Sequence, residues 1–316
     1  MENLRNAVIT TVTLNPMLDK TVRVHGIVRG GIMRATGMDV VVGGKGINVS
    51  RQLRMLGMET TATGFLGGEI GTMLGRLMDA ESLCHAFVRV EGMTREGVTY
   101  LDDDGVMTAL FEPPHAVTAE EVDRLVAQCG QLAAGSRWIA CCGSSPATAA
   151  DRAYGEIIRM ARERGVATAL DSYGTPLRMA MEAGPTLVKV NRHEWEQTFG
   201  DRLDSEPAIL ALLGAQRRRG IDVMVLTDGD APCYMAAGDH KWKALPPRMR
   251  AVNATGSGDS MLAAMLFGLE QGWPPARWFA FGVAAGAANA SVRDVARSTR
   301  SAIDDVVPMV GCTQLC

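Results

Sequence analysis

Thr255-Gly256-Ser257-Gly258-Asp259 stands immediately ahead of the apolar run Met261–Phe267. A Gly-Ser-Gly turn that opens a helix aims unpaired backbone N–H groups at one point, and such a point holds phosphate. Asp259, in the first turn, is a carboxylate within reach of that point and can take the proton of a hydroxyl attacking phosphorus. Amides beside an acid predict phosphoryl transfer, with the turn holding phosphate and Asp259 as the base. Because a helix N-terminus favours an ionised carboxylate, Asp259 is expected to be a weak base at neutral pH. The same residues also make sense without chemistry, as a glycine turn ending a strand with Asp259 or Ser260 capping the helix. Other segments have to decide.

Gly43-Gly44-Lys45-Gly46-Ile47-Asn48 follows the apolar stretch Met38–Val42 and opens a helix in which Ile47, Leu53 and Leu56 recur at helical spacing. Its glycines admit a ligand close to the backbone, while Lys45 and Asn48 offer a cation and an amide to sugar hydroxyls or a phosphate. It is not a Walker A loop, because Asp39 and Gly46 stand where GxxxxGK[ST] needs glycine and a hydroxyl residue. In Thr13–Asp19 an Asn-Pro turn precedes Asp19, whose carboxylate can hold vicinal hydroxyls; an Asx turn accounts for the same residues without a ligand. Asn191-Arg192-His193-Glu194 follows the strand pattern Thr186–Val190, with Lys189 just before it. With Asn191 as cap, Glu194 falls in the first turn, where it either completes a capping box or holds a Mg²⁺-bound water. No second His or Cys stands at ligand spacing from His193, which is given no role. Thr227-Asp228-Gly229 ends the pattern Asp222–Leu226 and offers backbone to a nucleotide. Arg95 is a cation available to a substrate phosphate.

Short β-branched runs alternate with helical patterns: Thr60–Phe65 before Glu69–Ala80, Trp138–Cys142 before Thr148–Arg164, then Val166–Leu170, Thr186–Val190 and Asp222–Leu226. The alternation predicts an α/β fold, a doubly wound, mostly parallel sheet flanked by helices, in a single domain over residues 1–316. Ligands of such sheets bind at the carboxyl ends of the strands, where several of the segments above fall. Two stretches break the pattern and read as hairpins: Thr21–Val24 with Ala35–Val42, and Gly97–Leu101 with Val106–Phe111. Inserted at about residues 20–42 and 96–112, they form either a small β-sheet lid over the strand ends or ordinary edge strands.

With 316 residues, 47% of them hydrophobic, the chain can bury one large core. A formal net charge of −3 gives no global attraction to nucleic acid or to an anionic membrane, so any anion site must be local. The opening MENLRNAVITTVTLNP lacks a basic segment followed by a continuous apolar one, and Trp278–Ala290 is too short to span a bilayer and reads as a buried helix. Seven cysteines, odd in number and without a CxxC pair, predict free thiols in a reducing cytoplasm.

Taken in order, Thr13–Asp19 (TLNPMLD), Gly43–Asn48 (GGKGIN), Gly64–Gly67 (GFLG), Thr94-Arg95, Gly143–Pro146 (GSSP), Asn191–Glu194 (NRHE) and Thr255–Asp259 (TGSGD) resemble the PfkB, or ribokinase-like, sugar kinases. Within them the resemblance is to the 1-phosphofructokinase and tagatose-6-phosphate kinase branch, and it covers nearly the whole chain. It implies ATP-dependent phosphorylation of a primary hydroxyl of a phosphorylated ketohexose, with Mg²⁺ as cofactor and ATP as co-substrate. It implies Asp259 as the base over the amides of Gly256, Ser257 and Gly258. Asp19, Gly43, Gly44, Asn48 and Ser144 fall on substrate contacts, and Lys45 and Arg95 on the substrate's existing phosphate. Lys189, Asn191, Thr227, Asp228, Gly229 and Gly258 fall at the nucleotide, and Glu194 with Asn191 at the metal, through water. The lid is implied to mediate a homodimer.

Several positions depart from the pattern. Ser257 replaces an alanine, Asn253 an aspartate and Val190 a proline; Glu96 brings negative charge beside Arg95, and Asp228-Gly229-Asp230 is more acidic than its counterpart. Substrate identity and nucleotide preference hang on the last two. A kinase of an unphosphorylated sugar or nucleoside is opposed by the two cations Lys45 and Arg95. A sugar-phosphate-binding relative without turnover is opposed by the intact TGSGD. A dinucleotide-binding fingerprint is opposed by Met261, which stands where GxGxxG needs glycine.

Overall fold

The computed structural model describes residues 9–315. From the N-terminal side it runs β1 (Ile9–Thr13), β2 (Met17–Arg23), β3 (Gly37–Gly43), α1 (Lys45–Met55), β4 (Thr60–Gly67), α2 (Gly68–Ala80), β5 (Val88–Val90), β6 (Arg95–Leu101) and β7 (Met107–Phe111). There follow α3 (Ala119–Leu132), β8 (Trp138–Cys142), α4 (Ala153–Glu163), β9 (Ala167–Asp171), α5 (Gly174–Met181), β10 (Leu187–Asn191), α6 (Arg192–Phe199), α7 (Glu206–Arg218) and β11 (Val223–Thr227). The chain ends with β12 (Cys233–Ala237), β13 (His240–Leu245), α8 (Ser257–Glu270), α9 (Pro275–Ala290), α10 (Arg300–Val306) and β14 (Gly311–Leu315).

Ten strands form the main sheet in the order β14-β13-β12-β11-β10-β9-β8-β1-β4-β5. Pairing is parallel from β11 through to β5 and antiparallel from β11 to β14. Every residue of β1, β4 and β8 is buried, as expected for strands covered by helices on both faces. Alternation sends Ile139 and Cys141 into the core beneath α3 and α4, and Trp138, Ala140 and Cys142 into the core beneath α8 and α9. The helix predicted over Thr148–Arg164 starts later, at Ala153, because Thr148–Ala150 closes on itself as a 3₁₀ turn with Ala150 N–H bonded to Ala147 O at 2.8 Å. Trp278–Ala290 lies in α9, a buried helix, and no helix among the described residues is long and apolar enough to cross a membrane.

The two predicted hairpins are present, and they merge. β2 pairs antiparallel with β3 and β6 with β7, while β2 and β6 run parallel, giving a separate four-stranded sheet in the order β3-β2-β6-β7. Asp19 therefore sits inside a lid strand, not at the end of a strand of the main sheet. The carboxyl ends of β1, β8, β9, β10 and β11 put Thr13, Gly143, Asp171, Asn191 and Thr227 along one rim, and the helix N-termini of α1 and α8 open onto it.

Candidate active site

A cavity of about 690 Å³ lies on that rim, with lid residues on one wall and the turn before α8 on another. It is large enough for a sugar phosphate and much of a nucleotide. Asp19, Gly43, Gly44, Lys45, Asn48, Arg95 and Ser144 all line it, as do Lys189, Asn191, Glu194, Thr227, Gly229 and Gly256 to Asp259. Asp228 does not: its carboxylate turns outward to Arg192 Nη1, 3.1 Å away, so only the neighbouring Thr227 and Gly229 face the cavity.

At the floor, Gly256 adopts the left-handed conformation (φ 77°), and a Cβ there would fall 2.4 Å from Val295 Cγ1, so only glycine fits the turn. Asn289, fully buried in α9, pins that turn. Its Nδ2 donates to Thr255 O (2.8 Å) and Ser257 Oγ (3.0 Å), and its Oδ1 accepts from Ala296 N–H (2.7 Å). Of the three amides expected to form an anion hole, one is engaged. Ser257 N–H is already bonded to Ala254 O at 3.2 Å, whereas among the described residues the amides of Gly256, Gly258 and Asp259 have no partner. Gly258 also admits Lys189, whose Nζ would lie 2.5 Å from a Cβ at that position, so an ammonium is set directly against the free amides.

Asp259 is buried, and its Oδ2 accepts from Asn48 Nδ2 at 2.8 Å. Its acidity reverses the expectation from helix position. Burial, reinforced by the nearby Asp171 carboxylate, outweighs Lys45, Asn48 and Lys189 and raises Asp259 from 3.8 to about 6. The group is a better base at neutral pH than a first-turn carboxylate in water would be, and still ionised there.

Asp171, at the end of β9, is the largest omission of the sequence reading. Its two oxygens accept from Lys189 Nζ at 2.6 Å and Lys45 Nζ at 2.8 Å, and Lys45 also reaches Glu194 Oε1 at 2.8 Å. Burial works to raise Asp171, but the two lysines override it and hold the carboxyl down at about 2. Burial likewise works against Lys45, and Asp171, Glu194 and Asp259 together hold it well above the usual lysine range. Lys45 was expected at the substrate's phosphate; here its ammonium is clamped between two carboxylates. Glu194 does complete the capping box with Asn191, through Asn191 N–H to Oε2 (3.1 Å) and Glu194 N–H to Asn191 Oδ1 (2.7 Å). The cap leaves Oε1 to Lys45.

On the lid wall, unmatched polar atoms collect. Among the described residues, Arg95 Nε, Asp19 Oδ1 and Asn15 Oδ1 are buried without a hydrogen-bond partner, while Asn15 Nδ2 donates to Ser144 Oγ at 3.1 Å. Burial lowers Arg95 and raises Asp19, so the charged form of each is disfavoured here and gains from a complementary ligand. Thr94 serves the backbone instead, accepting Gly67 N–H at 2.9 Å. Glu96 does not oppose Arg95. Strand alternation puts it on the other face of β6, ion-paired with Lys20.

The far end of the cavity is apolar, bounded by Pro246, Met249, Val283, Ala287, Ala290 and Val295. None of these was singled out from the sequence, because an apolar wall has no local signature. Asp171 had one, a carboxylate directly after a predicted strand, the same rule that selected Asn191. Asn289 had another, a polar residue inside an apolar helix.

Solved structures share this fold. Ribokinase from Thermotoga maritima superposes with a TM-score of 0.74 over 96% of this chain and 99% of its own at 17% identity, which establishes a ribokinase-like α/β fold. Phosphofructokinase-2 from Escherichia coli, in complex with potassium, superposes with a TM-score of 0.89 at 25% identity, covering 96% of this chain and 98% of that one. Among sequences, the 1-phosphofructokinase of Rhodobacter capsulatus is 31% identical over 260 residues, 82% of either chain, and that of Bacillus subtilis 29% identical over 307 residues, 97% of this chain and 100% of its own. The profile of the pfkB family of carbohydrate kinases matches residues 12–302. Fold and cavity define a phosphotransferase with an alcohol acceptor. The chain belongs to the pfkB family of carbohydrate kinases.

Proposed function

We propose that this protein is an ATP-dependent 1-phosphofructokinase, which transfers the γ-phosphoryl group of ATP to a primary hydroxyl of fructose 1-phosphate and forms the bisphosphate. One observation carries the reading: a single cavity holds two separate anion sites, free amides with Lys189 beside Asp259 at the floor, and the unpaired Arg95 on the lid. An acceptor already bearing a phosphate, and a second phosphate to be transferred, need both. That the relatives are 1-phosphofructokinases favours fructose 1-phosphate over tagatose 6-phosphate.

In this mechanism Arg95 takes the acceptor's phosphate, and Asp19, Asn15 and Ser144 orient its hydroxyls with the backbone of Gly43 and Gly44 beneath. The free primary hydroxyl is thereby aimed at Asp259, which receives its proton as the oxygen attacks phosphorus. Charge spreading over the transferred group meets the amides of Gly256 and Gly258 and the Lys189 ammonium. Thr227 and Gly229 flank the base and ribose, and the apolar bay takes the adenine. The residues fit a divalent cation: hard carboxylate oxygens of Asp171 and Glu194 already hold an ammonium between them. No group of three or more His, Cys, Asp or Glu among the described residues is arranged to hold a metal ion by itself, so Glu194, Asn191 and Asp171 would hold Mg²⁺ largely through water and phosphate oxygens. When bound, Mg²⁺ neutralises charge on the β- and γ-phosphates.

We further infer a single domain carrying its lid as an insertion, in a reducing cytoplasm; the six described cysteines are free thiols. A second copy is inferred to cover the lid, whose edge strand β7 leaves Leu110 and Phe111 67% and 51% exposed. Sedimentation of the wild type and of Leu110→Lys tests that arrangement; a monomer in both refutes it.

The substrate reading is tested with ADP formation from fructose 1-phosphate, tagatose 6-phosphate, fructose 6-phosphate and the free sugars. Arg95→Ala should raise KM for the phosphosugar by about tenfold or more, the worth of one charged hydrogen bond, with KM for ATP within about twofold. Equal change in both constants, or an unphosphorylated sugar as the best acceptor, defeats it.

A further inference from the structure

We propose that Arg51 is a positioning residue for the base: it fixes the side-chain amide of Asn48 in the one orientation that donates to Asp259. The inference rests on the reading of Asp259 as base and adds a residue that touches neither substrate nor nucleotide. Arg51 does not line the cavity, yet it is 4% exposed on α1, one turn beyond Asn48. A buried guanidinium away from the reacting groups needs a reason.

An amide has a donor end and an acceptor end, and Asn48 can offer either to Asp259 unless something chooses. Arginine carries donors only. Arg51 Nη1 donates to Asn48 Oδ1 at 2.7 Å, which leaves Nδ2 directed at Asp259 Oδ2, 2.8 Å away. Flipping the amide would set N–H against N–H and oxygen against carboxylate, losing both bonds at once. The guanidinium cannot follow, because its other arms are taken. Nη2 donates to Val42 O at 2.9 Å and to Glu81 Oε1 at 3.2 Å, and Nε donates to Glu81 Oε2 at 2.6 Å. Glu81, at the end of α2, is itself steadied by Arg297 Nη2 at 3.2 Å. The bond from Asn48 favours the ionised carboxylate, against the burial and the Asp171 charge that disfavour it.

The test is a double-mutant cycle on turnover with fructose 1-phosphate and ATP, using Arg51→Met, Asn48→Ala and the pair, with kcat/KM followed across pH. Arg51→Met should lower kcat by about tenfold, equivalent to about 1.4 kcal/mol, leave KM for ATP within about twofold, and move the acid limb of kcat/KM to higher pH. In the Asn48→Ala background, Arg51→Met should have no further effect on kcat. An undiminished effect in that background, or an acid limb that stays where it was, overturns the proposal. If Arg51→Met does not fold, Glu81→Gln, which loosens the guanidinium, should move the acid limb the same way by less; no movement counts against it equally. Asp259→Asn run in parallel separates the two readings. Retained turnover there sinks the base assignment, whereas lost turnover with additive Arg51 and Asn48 effects sinks only the positioning role.

Discussion

Replacing Asp259 with Asn should inactivate this protein and stabilise it. The carboxyl is held at about 6 in the fold against an ordinary 3.8. Between those two values the folded chain keeps a proton that the unfolded chain releases, so this group's contribution to stability falls as pH rises through the window and is constant above it. The difference amounts to about 3 kcal/mol at about pH 8 and to roughly half of that at about pH 5. Asparagine is the neutral, isosteric stand-in, and its oxygen can still accept from Asn48 Nδ2. Urea unfolding followed by tryptophan fluorescence should therefore show Asp259→Asn more stable by up to about 3 kcal/mol at about pH 8, with the gain shrinking towards pH 5. Turnover should fall by about 10²–10⁴-fold, the usual effect of losing a general base. Equal stabilities at high pH, or a gain that does not shrink on acidification, would refute the claim that burial and Asp171 raise this carboxyl.

Asp171→Asn removes the like charge facing Asp259, so the acid limb of kcat/KM should move to lower pH; the same change strands Lys189, and urea titration should register about 3–5 kcal/mol of lost stability. Gly258→Ala thrusts a methyl against Lys189 Nζ, which is held by Asp171 and cannot withdraw freely, so steady-state assays should show kcat down by about 10²-fold while circular dichroism stays that of the wild type. Asn289→Ala frees the turn from α9, and calorimetric titration should show weakened ATP binding together with lowered kcat; unchanged nucleotide affinity would mean that the turn holds itself.

Much of the scaffold was legible in the chain because it is written in local periodicity. Alternating strand and helix patterns, the two hairpins and the glycine turn before α8 are short-range signals, and each lies within a residue or a few of where the structure has it. The segments Gly43–Asn48, Asn191–Glu194 and Thr255–Asp259 likewise announce themselves by residue type. What stayed hidden depends on contacts between residues far apart in sequence. Asp171 becomes part of the site only because β9 lies beside β8 and β10, bringing Lys45 and Lys189 to its two oxygens. The side to which Glu96 and Asp228 turn follows from strand alternation and from Lys20 and Arg192, not from their nearness to a motif.

By itself, then, the sequence marked most of the polar residues that line the cavity and the elements that hold them, since residue type, capping and hydrophobic period are properties of short stretches of chain. Tertiary structure decided their charge states and their neighbours. Helix position alone would leave Asp259 a weak base; packing removed its water and set Asp171 nearby, and electrostatics at that range overrode the helix N-terminus.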